Sequence, residues 1–132
     1  MLTTLGDAIK ARLEGLGVFK VVEQGFSKRA LQSPPSAVFF LSADEEAANT
    51  PYVTRKLTWE IALLASYLDP VKGLAQMNDL VDAVRPAFIH WLPVPAGCLP
   101  TAAPMIRYEG VEDTLLIYTV RVTMQAFPKK IL

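Results

Sequence analysis

The alternating pattern between Val53 and Tyr67 constrains the fold more than any other feature of the chain. Apolar and polar residues alternate with a period of two, which is typical of a β-strand. At about 3.3 Å per residue such a strand would span about 50 Å, whereas a compact chain of this size has a radius of gyration of about 14 Å. We therefore expect this strand to extend beyond its domain and to need a partner for its backbone groups. Its apolar face comprises Val53, Leu57, Trp59, Ile61, Leu63, Ala65 and Tyr67, interrupted only by Arg55.

Length and composition favour one domain that associates with copies of itself. The chain has 132 residues, which suit a single domain spanning residues 1–132 with one core. Apolar residues make up 52% of the chain and the mean hydropathy is +0.28. This surplus favours burial between subunits, and hence a homo-oligomer. We expect no membrane association, because no stretch approaches the roughly 20 apolar residues of a spanning helix and the first residues lack a signal-peptide pattern.

The charge balance and the cysteine content limit the expected partners and compartment. Thirteen basic and thirteen acidic residues give a net charge of zero, so any contact with nucleic acid should be local. The single cysteine, Cys98, cannot form an internal disulfide, which favours synthesis in a cytoplasm.

The first half of the chain reads as a helix followed by strands. Leu5, Ile9 and Leu13 recur at helical spacing, and glycines follow them. The predicted elements are a helix over residues 4–15, a strand beginning over 18–22, a loop over 24–35 with one possible helical turn at 28–32, a strand over 36–41 and a polar connection over 42–50.

The second half reads as a helix followed by a hairpin. Asp69 and Pro70 are an N-cap and a first helical residue, and Pro86 should kink or split the helix near Arg85. Its apolar stripe contains Leu74, Met77, Val81, Val84, Phe88 and Trp91. An irregular connection is predicted over residues 93–100, followed by a hairpin of strands 105–109 and 114–126 around a turn at 110–113. The remaining tail, residues 127–132, is predicted to be loose or docked on a neighbour.

The resulting element order is α-β-β-β-α-β-β, which predicts an α+β fold. We expect a mostly antiparallel sheet packed on one face by two helices, with a long extended β-hairpin formed by residues 36–41 and 53–67. Residues 61–65 should be covered on both faces, while residues 52–57 should extend toward a neighbour.

Neither His90 nor Cys98 belongs to a pattern that predicts chemistry. His90 is the sole histidine and no second ligand lies at metal-binding spacing, so a surface or capping role near a helix end is the better interpretation. Cys98 has no evident base and orienting group, which favours a small apolar loop residue over a nucleophile. We expect neither a metal nor another cofactor.

The acidic run of Asp44, Glu45 and Glu46 is best interpreted as solvated, because consecutive carboxylates in a loop usually point apart. No glycine-rich phosphate loop, nucleophile elbow or HExxH motif is present in the sequence. The sequence therefore does not predict an enzyme.

Basic residues occur in three close pairs. They are Lys28 with Arg29, Arg55 with Lys56, and Lys129 with Lys130. In a monomer these pairs would be solvated, but repeated around a ring they would line a channel and attract DNA phosphates without sequence preference. Lys28, Arg29 and Lys56 are the candidate residues for such a lumen.

The chain resembles the tail terminator, or tail completion, proteins of long-tailed bacteriophages and prophages, especially those of Mu-like phages. The resemblance extends over the LGDAIKARLEGL helix, the Pro-Pro before SAVFFL, VTRKLTWEIALLAS, LVDAVRPAF and LLIYTVRVTM. It implies an α+β subunit of a hexameric ring that caps the tail tube, stops its polymerisation and presents a surface to the head.

The resemblance also implies partners and a location. The partners are further copies of the chain, the tail tube protein and a head-completion or connector protein, and the location is the bacterial cytoplasm during assembly and then the virion tail. Tyr52, Val53, Arg55 and Leu57 are the predicted contacts with a neighbouring subunit or the tube. The alternatives are a head–tail connector or neck protein and a small cytoplasmic binding domain or enzyme.

Overall fold

Three helices and six strands form within residues 2–49, 52–89, 91, 98–100 and 103–130, which the computed structural model describes. The fold is α+β with a mostly antiparallel sheet, as the sequence predicts. The elements are α1 (Leu2–Glu14), β1 (Val21–Gln24), α2 (Lys28–Gln32), β2 (Ser36–Asn49), β3 (Tyr52–Ser66), α3 (Pro70–Ala87), β4 (Cys98–Pro100), β5 (Met105–Glu112) and β6 (Leu115–Lys130).

The sheet is built around the long strand β3. Its neighbours are β2 on one side and β6 on the other, and both pairings are antiparallel. The short strand β1 adds to β2 in the parallel direction. On the far side of β6, strands β4 and β5 pair with successive parts of the same edge. The predicted long hairpin is therefore β2–β3, and it lies in the middle of the sheet.

The hydrophobic core lies on one face of this sheet, beneath α1 and α3. The alternate residues of β3 from Leu57 to Ala65 are fully or almost fully buried there. The core-facing side chains of α1 and α3 belong to the same cluster, and the Arg12 Nε donates a 2.9 Å hydrogen bond to the Ala87 carbonyl between the two helices. The helical residues of this cluster are Leu5, Ile9, Leu13, Met77, Leu80, Val84 and Ala87.

The helix α2 packs against the opposite face at one end of the sheet. Ser27 caps it by accepting a hydrogen bond from the Ala30 amide. The Ser36 hydroxyl, which is fully buried, donates a 2.6 Å hydrogen bond to the Ala30 carbonyl. Ser36 precedes the core residue Ala37 on β2, so its side chain points away from α1 and α3. We refer to this side of the sheet as the open face.

The start of α3 matches its sequence signals. The Asp69 carboxylate accepts hydrogen bonds from the Val71 and Lys72 amides at 3.1 and 3.3 Å, and Pro70 is the first helical residue. Gly73 is required by close packing, because a Cβ at that position would lie 2.5 Å from the Ser66 carbonyl oxygen.

The end of α3 differs from the prediction. Pro86 is the penultimate residue of the helix, which ends at Ala87. Trp91 lies beyond the helix and packs edge-on against Phe88, with ring centroids 5.1 Å apart. Leu74, predicted on the buried stripe, is 43% exposed.

The predicted polar connection over residues 42–50 is wrong for the part that the structure describes. The strand β2 continues through the acidic run to Asn49, because these residues pair with the first part of β3. A β-bulge at Ser42, between Leu41 and Ala43, accommodates one extra residue in β2. Tertiary pairing thus overrides the low β-propensity of acidic residues.

Four other features of the secondary structure differ from the sequence prediction. The strand β1 begins only at Val21, and Cys98–Pro100 form β4 inside the predicted irregular connection. The hairpin turn lies at Asp113 and Thr114, where Asp113 has a φ of 55°. The strand β6 extends to Lys130, whereas the sequence predicted a tail from residue 127.

The buried position of Leu57 leads to a stability prediction. Leu57→Ala should lower the free energy of unfolding by about 2–5 kcal/mol, because it removes a fully buried side chain and leaves a cavity. Leu68→Ala, at a side chain that is 79% exposed, is the matched control and should change it by less than about 0.5 kcal/mol. Urea denaturation measures both values, and equal effects would contradict this assignment of the core.

Candidate assembly surface

The sheet extends beyond the region that the helices bury. In β3, burial ends at Leu57, and residues 53–56, which precede it, are half-buried or exposed. In β2, the side chains of Asp44, Glu45 and Glu46 are exposed. The backbone ladder nevertheless continues through these strands. We refer to this extension, which comprises residues 43–49 of β2, 52–56 of β3 and 125–130 of β6, as the arm.

The arm is about 20 Å long and has an open edge. The strand β1 pairs with β2 only from Ser36 to Phe39. In the described part of the chain, β2 has no strand neighbour on that side from Phe40 to Asn49. Such an edge presents backbone donors and acceptors to which another strand can add.

An ion pair links β2 and β3 within the arm. The Arg55 Nε donates a 2.8 Å hydrogen bond to one carboxylate oxygen of Asp44, and the Arg55 Nη2 donates to the other. This two-point geometry is the strong form of an arginine–carboxylate pair. The hydrogen bond from Arg55 holds the pKa of the Asp44 carboxyl below its usual value.

The predicted interface residues fall into two groups. The backbone of Tyr52 pairs with Lys130 in the arm, Val53 is half-buried, and Arg55 is engaged with Asp44. Leu57, in contrast, is fully buried in the core of its own subunit. The prediction that Leu57 contacts a neighbour is therefore corrected, because this residue lies where the arm meets the core and has no exposed surface.

The predicted lumen residues lie on one side of the molecule but far apart. Lys28 and Arg29 are exposed on α2, and Lys56 is exposed on the open face of the arm. Because Ser36 under α2 pairs with Leu64, Lys56 is about 26 Å away along β3. Arg29 is also paired with Glu23. A single chain does not bring these basic residues together.

Arg55 and Lys56, which the sequence analysis treats as one basic pair, point to opposite faces. Successive side chains on a strand alternate between faces, and Arg55 shares the face of Leu57 while Lys56 shares that of Thr58. Only Lys56 of the two therefore adds charge to the open face.

The open face carries a row of side chains across four strands. Phe40 on β2, Glu60 on β3, Arg121 on β6 and Met105 on β5 lie directly opposite one another in register. The Arg121 Nη2 lies 3.3 Å from a Glu60 carboxylate oxygen. The apolar side chains at the two ends of the row, Phe40 and Met105, are 44% and 49% exposed, respectively. The sequence showed the polar alternation but not this register, which depends on pairing between distant strands.

A second polar group lies beside this row, on the β5 edge. The Arg107 Nε donates a 2.8 Å hydrogen bond to Glu109. Hydrogen bonds from Arg107 and then Thr119 lower the pKa of the Glu109 carboxyl, and the same contact with Glu109 raises the pKa of Arg107. These charges satisfy one another on the surface and leave the open face a mixture of paired charges and apolar side chains.

The side chains of the two residues considered for chemistry are not among those that the structure describes. His90 lies outside the described residues, and Cys98 is described only as part of the backbone of β4. Across residues 2–49, 52–89, 91, 98–100 and 103–130, no three His, Cys, Asp or Glu side chains cluster as metal ligands would. None of the helices in those ranges is both long and apolar enough to cross a membrane.

No protein-family model matches the chain, and no curated protein matches its sequence. The functional interpretation therefore depends on the surfaces described above.

The Asp44–Arg55 pair predicts a pH-dependent contribution to stability. Because the pKa of Asp44 is lowered in the folded chain, the pair stabilises the fold above the ordinary carboxyl pKa, and this stabilisation is lost as the pH falls through the lowered value. Arg55→Gln should raise the Asp44 titration midpoint, measured by NMR. Arg55→Gln should lower the free energy of unfolding at neutral pH and leave it unchanged in strong acid.

Glu109 provides the internal control for this titration, because its carboxylate is held by Arg107 rather than Arg55. Its midpoint should be the same in Arg55→Gln and in the unsubstituted chain. An unchanged Asp44 midpoint would contradict the ion pair.

Proposed function

We propose that this chain is a tail terminator, or tail completion, protein of a long-tailed phage or prophage. In this role, copies of the chain form a ring at the head-proximal end of the tail tube, stop tail polymerisation and provide the surface to which the head joins. The ring is proposed to be a hexamer. Its partners would be the tail tube protein and a head-completion or connector protein.

The arm is the observation that carries this proposal. A strand ladder that continues beyond its own core gains little from burial within the subunit, and in a monomer its open β2 edge is a liability. Contact with a neighbour or with the tube would satisfy the backbone groups of this edge and would cover the half-buried Val53. The element order and the resemblance in the LGDAIKARLEGL, VTRKLTWEIALLAS and LLIYTVRVTM segments agree with this role.

The open face supplies a second, weaker support. Lys28 and Lys56 are exposed on this side of the sheet. If copies are arranged around an axis with this face inward, these lysines repeat around the lumen and attract passing DNA through its phosphates. The proposed DNA contact is therefore nonspecific and depends on ring closure.

The mass of the assembled protein tests this function. Native mass spectrometry of the full chain should show a six-subunit species, and a strict monomer at high concentration would contradict the proposal. Where the ring forms, a pull-down with the tail tube protein and with portal components decides between terminator and connector, because a terminator should retain the tube protein.

Substitutions in the arm should abolish assembly without unfolding the subunit. Val53→Asp combined with Lys56→Glu places a carboxylate on each face of the arm and spares the buried Leu57. We expect this variant to be monomeric by native mass spectrometry, with a circular dichroism spectrum like that of the unsubstituted chain.

The matched control makes the same two changes on α3. Val71→Asp with Lys72→Glu alters an exposed valine and an exposed lysine that lie outside the arm, and it should assemble normally. Normal assembly of the Val53 and Lys56 variant would exclude the arm as a subunit contact.

A further inference from the structure

A groove lies at the end of the sheet opposite the arm. It is formed between α2 and the start of β6 and encloses about 360 Å³. Phe26 and Leu31 line it on the α2 side, and Glu112, Asp113, Leu115 and Ile117 line it on the hairpin side.

The apolar part of this groove is unusually open to solvent. Phe26 is 87% exposed and Leu31 is 38% exposed. Exposed apolar side chains that adjoin one another and line a groove commonly mark binding surfaces. The groove is therefore a candidate docking site.

The rim of the groove is acidic. Glu112 and Asp113 are exposed at the hairpin turn, whereas the basic residues of α2, Lys28 and Arg29, do not line the groove. A complementary partner would combine apolar side chains with positive charge.

The tip of the arm carries that combination in the sequence. Lys129 and Lys130 end β6, and Ile131 and Leu132 follow them. The backbone of β6 places Lys129 opposite Val53 and Lys130 opposite Tyr52, at the far end of the arm.

A chain cannot insert its own tip into its own groove. The strand β6 begins at Leu115 beside the groove and continues to Lys130 at the tip, a distance of about 50 Å along the strand. Any contact between the two surfaces must therefore join two molecules.

We propose that the groove binds the arm tip of a second copy of this chain. The apolar residues after Lys130 would pack against Phe26 and Leu31, and the lysines of the tip would lie beside Glu112 and Asp113. Each subunit then uses two different surfaces, so the contact is head to tail and closes into a ring when the rotation between copies permits. This contact rests on the proposed function, because it would join successive subunits of the ring.

Two variants of the full chain test the contact. The groove variant combines Phe26→Ser with Glu112→Lys, at two exposed side chains, and leaves the αL residue Asp113 unchanged. The tip variant combines Lys129→Glu with Lys130→Glu. The matched control, Val71→Ser with Asp79→Lys, alters an exposed valine and an exposed acid on α3 outside the groove. Circular dichroism verifies folding, and Phe26→Ser alone is a second groove variant.

Native mass spectrometry and sedimentation velocity then measure assembly. The unsubstituted chain and the control should form the oligomer, and the groove and tip variants should each be monomeric. An equimolar mixture of the two variants should yield a two-subunit species at least tenfold more abundant than in either alone, because one partner keeps an intact tip and the other an intact groove.

Three results would overturn the contact, and they separate it from the proposed function. Normal assembly of the groove variants excludes the groove but leaves the ring proposal standing. A mixture that stays monomeric excludes the tip as the occupant. A strictly monomeric unsubstituted chain contradicts both proposals.

Discussion

The structure depends on the burial of one face of β3 beneath α1 and α3. The alternate residues from Leu57 to Ala65 lie at the centre of the core, and both neighbouring strands pair with this segment. Apolar burial supplies the main favourable term in folding, so this segment fixes which face of β2 and β6 points inward. A one-residue shift of β3 would turn its core side chains toward solvent.

The arm follows from this anchoring rather than from the propensities of its own residues. Asp44, Glu45 and Glu46 favour a loop when considered alone, but β2 has already been aligned with β3 through Phe39 and Leu41. Continuing the ladder satisfies the backbone groups of both strands, and the Asp44–Arg55 pair adds a cross-strand contact. The same strands thus form the core inside the domain and the proposed contact surface outside it.

The sequence was most informative where one periodicity extended over many residues. The alternation of β3 and the capped start of α3 at Asp69 were predictable because local pattern and tertiary packing agree there. The extension of β2 was not, because it depends on a partner strand. The open-face row of Phe40, Glu60 and Arg121 likewise required the register between strands that are distant in sequence.

The sequence predicted where the candidate assembly surface lies better than it predicted which residues form that surface. The region around Val53 was expected to extend beyond the domain, and it lies in the arm. Leu57 was misassigned because alternation alone does not reveal where the helices stop covering a strand. The groove beside Phe26 gave no sequence signal, since its walls come from a short helix and a distant hairpin turn.

The bulge at Ser42 has a consequence for the evolution of the arm. It shifts the acidic run by one position against β3, so that Glu46 lies opposite Arg55 and Glu45 opposite Lys56. If Ser42 paired with Thr58 and no bulge formed, Glu45 would lie opposite Arg55 and Asp44 opposite Lys56, and both basic residues would still meet an acid. Charge pairing along the arm is thus insensitive to a shift of one residue in the register between β2 and β3. The arm can change its twist and direction through such bulges while retaining the electrostatic match between its strands.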